Sequence, residues 1–277
     1  MGWHGRLDLR YRRDGDRCIA HDRHEGPLRV LAALHPEGGA VCHHVLVHPP
    51  GGIVGGDTLD IDIELGPGAH ALLTTPGATR YYRAERAAEQ HVLARAADGA
   101  RLEWLPLETI VHAGAQGENA MRFELADGAE MIGLDVLALG LPGADQPFEG
   151  RPGRYLQRIE LPGIWLERGT IDAADLRLLD SPLGWAGYRV LATAWFGAGS
   201  ALGTARRERL RDAARGVADA HPLTATASAT SPDARVIVLR ALAPRVEPAM
   251  ALLHAVWAAW RDAAWSLPAC APRVWRT

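Results

Sequence analysis

Asp57-Thr58-Leu59-Asp60-Ile61-Asp62-Ile63-Glu64-Leu65 is the stretch that decides the fold class. Leu59, Ile61, Ile63 and Leu65 alternate with Asp60, Asp62 and Glu64, the period of two that a half-buried strand requires and a helix does not produce. One face of the strand is apolar, and the other turns three carboxylates towards water or a partner. Gly66-Pro67-Gly68 then stops it, because proline lacks a ladder donor and glycine supplies turn geometry.

Outward from this strand, short alternating or apolar runs separated by Gly, Pro and Asp clusters predict further strands over 41–48, 69–75, 90–94, 101–104, 120–125, 155–161, 187–194 and 235–241. Asp98-Gly99 and Asp127-Gly128 lie between such runs and read as hairpin turns. By spacing alone the body is mainly β and antiparallel. Two segments switch to the helical period. Leu210, Ala213, Ala214 and Val217 fall at i, i+3, i+4 and i+7, while Pro248 opens a second helix carrying Met250, Leu253, Trp257, Trp260 and Ala264 until Pro268. The run 130–140 is too evenly apolar to assign by period, and 221–232 reads as a flexible loop. No linker interrupts the chain, so residues 1–277 are expected to form one domain.

The 277 residues are 48% hydrophobic and 23% charged, the make-up of a folded globular chain. Thirty basic against 33 acidic residues leave a formal charge of −3, without the positive field that holds nucleic acid. All the basic residues are arginine, which removes Schiff-base, phosphate-loop and kinase-type lysine chemistry. The three cysteines, Cys18, Cys42 and Cys270, are odd in number and lack C-x-x-C spacing, pointing to a reducing compartment. The N-terminal residues carry no apolar leader and no run is long enough for a membrane span, so a cytoplasmic protein is expected.

His48-Pro49-Pro50-Gly51-Gly52-Ile53-Val54-Gly55-Gly56-Asp57 is the least ordinary segment. Its four glycines suggest a phosphate cradle, but phosphate loops open helices and this one opens the strand from Asp57; a tight loop joining two strands is the better reading. On a strand over 41–48, Cys42, His44, Leu46 and His48 share a face, and thiolate with imidazole suits a borderline transition metal, although half-buried histidines with ordinary hydrogen bonds fit equally. No G-x-S-x-G marks a nucleophile. Carboxylates at Asp57, Asp60, Asp62, Glu64, Glu103 and Glu108 offer either an acid–base pair or simply a solvated strand face. The residues alone therefore leave open a stand-alone metal-dependent hydrolase using Cys42, His44 and His48 with Asp57.

Three ordered blocks carry a resemblance. The run 46–57, continued by Gly68-Ala69-His70-Ala71-Leu72-Leu73-Thr74-Thr75-Pro76-Gly77-Ala78-Thr79-Arg80-Tyr81-Tyr82-Arg83, then Leu102-Glu103-Trp104-Leu105-Pro106-Leu107-Glu108-Thr109-Ile110, and finally Pro272-Arg273-Val274-Trp275-Arg276-Thr277, resembles the urease accessory protein family UreD, called UreH in some bacteria. The resemblance spans about 26–277. It departs from the family pattern at Gly77, Arg80 and Leu107, the last removing a polar group. It implies a helically stacked β-strand body with two α-helices, acting as a scaffold and not as an enzyme. It also implies apo-urease and UreF as partners, with UreG reached through UreF, in GTP-dependent nickel insertion. Ni²⁺ would pass transiently along a polar internal route, with no tightly bound cofactor. The positions the resemblance marks for the motif loop and nickel relay are Gly51, Gly52, Gly55, Gly56, Asp57, Glu64, Thr75, Pro76, Arg83 and Glu108.

Overall fold

The strand quoted above forms over Thr58–Leu65, with Leu59, Ile61, Ile63 and Leu65 buried and Glu64 exposed. The computed structural model describes residues 2–276; Thr277 of the C-terminal block lies outside them. In chain order the strands are β1 (His4–Asp14), β2 (Arg17–Glu25), β3 (Arg29–Val30), β4 (Cys42–Val47), β5 (Thr58–Leu65), β6 (His70–Thr74), β7 (Thr79–Tyr81), β8 (Ala88–Ala96) and β9 (Arg101–Leu105). There follow β10 (Thr109–Val111), β11 (Gln116–Leu125), β12 (Glu130–Leu139), β13 (Arg154–Leu161), β14 (Trp165–Asp172), β15 (Val190–Ala198), β16 (Ala227–Asp233) and β17 (Val236–Ala243). A one-turn helix α1 (Leu176–Asp180) and the longer α2 (Thr204–Asp219) and α3 (Val246–Trp265) complete the described elements. The two expected helices are thus present, the second starting two residues before Pro248.

The strands build two facing sheets, ordered β14-β13-β11-β8-β5-β1-β2 and β16-β17-β15-β12-β9-β6-β4-β3. The chain winds between them. β5, β8 and β11, starting at 58, 88 and 116, lie parallel in the first sheet, while β6, β9 and β12 lie parallel in the second. β7 and β10 pair in parallel with each other and with the end of β12, closing a short third side. This is a helical stack, in which each coil covers the apolar edge of the one before.

Asp98-Gly99 and Asp127-Gly128 are turns, but not hairpins. Each carries the chain from the first sheet to the second, as does Gly66-Pro67-Gly68. Gly68, Gly99 and Gly128 all hold φ between +64° and +75°, the left-handed conformation that glycine adopts without strain. A corner and a hairpin use the same local chemistry, so the turn signal alone does not decide which strands pair. Antiparallel pairing, expected throughout from spacing, is confined to the ends of the stack: β1 with β2, β3 with β4, β13 with β14, and β12-β15-β17-β16.

The apolar side chains divide into two cores. One fills the space between the sheets and includes Leu7, Ile63, Leu73, Phe123 and Trp195; the other lies between the outer face of the second sheet and helices α2 and α3. β12 serves both, with Met131, Leu137 and Leu139 facing inwards and Ile132, Leu134, Val136 and Ala138 facing the helices. That is why 130–140 has no readable period. The outer face of the first sheet is a solvated charge ladder: Arg6 meets Asp62, Arg10 meets Glu64, and Asp60 accepts from both His4 and His91. The segment 221–232, expected to be a loop, ends in β16, which pairs along β17 and is covered by α2. Among the described residues, no helix is long and apolar enough to cross a membrane.

Candidate functional site

The glycine-rich loop after β4 is held by its own carboxylate. Asp57, almost fully buried, accepts the Trp3 backbone N–H on Oδ1 at 2.8 Å and the Val54 N–H on Oδ2 at 3.1 Å. Its oxygens tie the N-terminal residues to the loop. The glycines make room for the segment that follows β7. A Cβ on Gly52 would sit 2.1 Å from the Tyr82 ring, and one on Gly55 would sit 2.8 Å from both Ala84 Cβ and the Arg86 carbonyl oxygen. Gly51 and Gly56 hold φ of +75° and +88°. Thr75 braces the neighbouring turn, donating to the Gly77 carbonyl and accepting from the Leu107 N–H, both at 3.0 Å.

Inside this loop the two sheets enclose a cavity of about 230 Å³. His48, Gly51, Gly52, Thr75, Pro76 and Arg80 stand at its loop end. Its interior lining joins aliphatic side chains to an unusual polar group: Asp135 from β12, Gln90 from β8, Asn119 from β11 and Thr109 from β10, together with Trp104 from β9. Gln90 Nε2 donates to Asn119 Oδ1 at 3.1 Å. Trp104 Nε1 is buried without a hydrogen-bond partner, and so is Gln157 Nε2 on the neighbouring strand β13. Burial pushes the Asp135 carboxyl up to about 7, the nearby Glu167 charge adds to the rise, and the Gln157 amide opposes it. Burial also lowers the His48 imidazole, against the pull of Asp57.

The remaining marked residues do not converge on this cavity. Glu64 faces solvent from the opposite side of β5 and pairs with Arg10 at 3.4 Å. Arg83 is exposed, its side chain lying over Gly114. Glu108 is half-buried and borders a surface groove that also includes Leu107, His254 and Trp275. Cys42 and His44 point into the inter-sheet core: His44 Nδ1 is hydrogen-bonded to the Tyr11 hydroxyl at 2.7 Å, and burial pushes the Cys42 thiol up to about 12. His48 lies beyond the end of β4, so it is not part of that face. Among the described residues, no three His, Cys, Asp or Glu side chains are grouped to hold a metal ion.

Sequence reasoning missed a second buried polar group, under α3. Glu103, with no exposed surface, is bonded through Oε1 to His70 Nε2 at 2.7 Å and accepts the Trp257 Nε1–H on Oε2 at 2.5 Å. Arg261, equally buried, donates from Nη2 to Glu37 Oε2 at 2.6 Å and brings Nε to 3.6 Å from Glu103 Oε2. Glu37 Oε1 is bonded to His43 Nε2 at 2.6 Å. Burial works against the Glu37 charge, but the hydrogen bonds from His43 and Arg261 hold its carboxyl below the usual range. The available signal was a charge inside an apolar strand, Glu103 between Leu102 and Trp104, and the same signal marks Asp135 in Met131-Ile132-Gly133-Leu134-Asp135-Val136-Leu137.

The family model described as UreD urease accessory protein matches residues 4–276. A "Urease accessory protein UreD" of Leptothrix cholodnii is 61% identical to the chain over the full length of both, and one of Variovorax paradoxus is 59% identical over the full length of both. A third, from Paracidovorax citrulli, is 58% identical over 99% of each chain. Matched end to end by the model and by these relatives, the chain belongs to the UreD family of urease accessory proteins.

Proposed function

We propose that the chain serves urease maturation as a non-catalytic scaffold. It binds apo-urease and UreF, with UreG joined through UreF, and supports GTP-dependent delivery of nickel to the urease active site. Ni²⁺ is the cargo, and the inter-sheet cavity is its path. The observation that carries this reading is the cavity lining. Asp135, Asn119, Gln90 and Thr109 gather there with the unpartnered Trp104 Nε1, in a core that elsewhere closes through aliphatic and aromatic side chains. A buried polar set of this kind is costly unless something uses it. Carboxylate and amide oxygens favour a divalent ion without the retention of a closed thiolate and imidazole site, and a path must release what it binds. Asp135 holds its proton to about pH 7 and would exchange it for a divalent charge on the ion's arrival.

Reconstitution tests the reading. Apo-urease, UreF, UreG, GTP and Ni²⁺ are expected to yield active urease only when the chain is added. Asp135→Ala is expected to leave the assembled complex intact on size exclusion and to cut activation at least tenfold. Wild-type activation by Asp135→Ala removes the cavity as the path, and full activation without the chain removes the scaffold. Substrate turnover by the isolated chain with metal would establish the hydrolase instead.

A further inference from the structure

The segment that the glycine loop accommodates forms an outward-facing platform. Val54 is 46% exposed, Tyr82 37% and Trp3 59%. They are contiguous: the Tyr82 N–H donates to the Ile53 carbonyl, next to Val54, and Trp3 and Val54 are joined by the two oxygens of Asp57. Tyr82 is also held in place. It lies over Gly52 and stacks on His112 with ring centroids 4.9 Å apart, and the His112 Nε2 beneath it has no hydrogen-bond partner. Rigid, partly exposed aromatic rings of this kind are the usual anchors of protein interfaces.

Around this apolar centre the charge is one-sided. The segment 80–86 carries Arg80, Arg83 and Arg86 against the single acid Glu85, all four exposed. On the outer face of the first sheet, by contrast, Arg10, Arg122 and Arg158 are each matched to a carboxylate. Among the described residues none of the three platform arginines is ion-paired; Arg86 donates only to the Gly55 carbonyl, at 3.3 Å.

We propose that this platform docks an acidic protein surface with an apolar centre, belonging to one of the urease-maturation partners. The identity of the partner rests on the scaffold reading above. Apolar burial supplies the anchor and the three guanidiniums recruit carboxylates, with electrostatics acting mainly on the association rate. The underside of the same loop forms one end of the cavity, so a partner seated here lies across that end. The four glycines then have one purpose in common, to let Tyr82, Ala84 and Arg86 settle flush on the loop.

The test measures binding of the full chain to purified apo-urease and to purified UreF–UreG, using wild type, Tyr82→Ala, and the pair Arg83→Glu with Arg86→Glu. Circular dichroism and thermal midpoints establish that the variants fold. The expected result is that each variant weakens binding to one of the two probes at least tenfold and leaves the other unchanged. Raising NaCl from ~50 to ~300 mM is expected to weaken wild-type binding to that probe about tenfold and the arginine variant's binding much less. Wild-type affinity of both variants for both probes overturns the platform alone. A wild-type chain that binds neither probe overturns the scaffold reading with it. Self-association of the wild type that Tyr82→Ala abolishes, without loss of either probe, assigns the face to a second copy and also overturns the proposal.

Discussion

Replacing Arg261 with methionine keeps the length and apolar stem of the side chain while removing its charge from a site with no exposed surface. In the wild type the guanidinium is 2.6 Å from Glu37 and 3.6 Å from Glu103, and it lies 5.3 Å from the centre of the Trp257 ring. Without it two buried carboxylates share one pocket with no cation. Breaking a buried ionic group by removing one partner costs about 3–5 kcal/mol, because the remaining charges lose both water and counter-ion. In urea denaturation this is expected to lower the midpoint by about 1 M or more, and in thermal melts to lower Tm by about 10 °C. Arg10→Met, which breaks the exposed pair with Glu64, supplies the comparison and is expected to cost under about 0.5 kcal/mol. Glu103→Gln added to Arg261→Met is expected to recover part of the loss, since one uncompensated charge then disappears. If Arg261→Met unfolds within about 1 kcal/mol of wild type, the cluster does not hold α3 to the sheet, and the electrostatic reasoning fails.

Three further outcomes are expected. The Asp135 carboxyl, raised to about 7, binds a proton that the unfolded chain releases near pH 4, so its ionisation removes stability as pH rises between those values. Asp135→Asn is therefore expected to melt above wild type at pH 8 and alongside it at pH 4, as measured by calorimetry; equal midpoints at both values would contradict the assignment. Gly133→Ala places a Cβ 2.1 Å from the fully buried Trp195 ring, and a loss of about 3 kcal/mol or failure to fold is expected from urea titration. Iodoacetamide at pH 8 is expected to label Cys270 alone in the native protein and all three thiols in denaturant, because Cys18 and Cys42 are buried; mass spectrometry counts the adducts.

Much of the fold was legible because each coil has to satisfy period two. β5, β6, β9, β13 and β17 fall where alternation or short apolar runs place them, and α3 where Pro248 and Pro268 bracket it. β1 alternates as clearly, with Leu7, Leu9 and Tyr11 inward, yet is absent from the predicted strands. What the sequence withheld was pairing. Gly99 and Gly128 announce a change of direction, and only the register shows that the chain crosses to the other sheet instead of doubling back. β12 was obscured by burial on both faces, and β16 by the Ser, Thr, Ala and Pro content that makes an edge strand resemble a loop. The site divides in the same way. The glycine loop was visible as composition, and its occupant Tyr82 only as contact. Asp135 and Glu103 stand out once their strands are known to be buried, but Glu37 and Arg261 are brought together by tertiary structure across 224 residues.

That span sets an order of events during synthesis. Glu37 leaves the ribosome 224 residues ahead of the guanidinium that neutralises it, an interval of roughly 10–45 s at common elongation rates. The coils can stack as they emerge, each on its predecessor, while the acid pair beneath the future helix waits for its counter-charge. A polypeptide cut short before residue 261 would retain both carboxylates and never acquire the group that makes their burial tolerable.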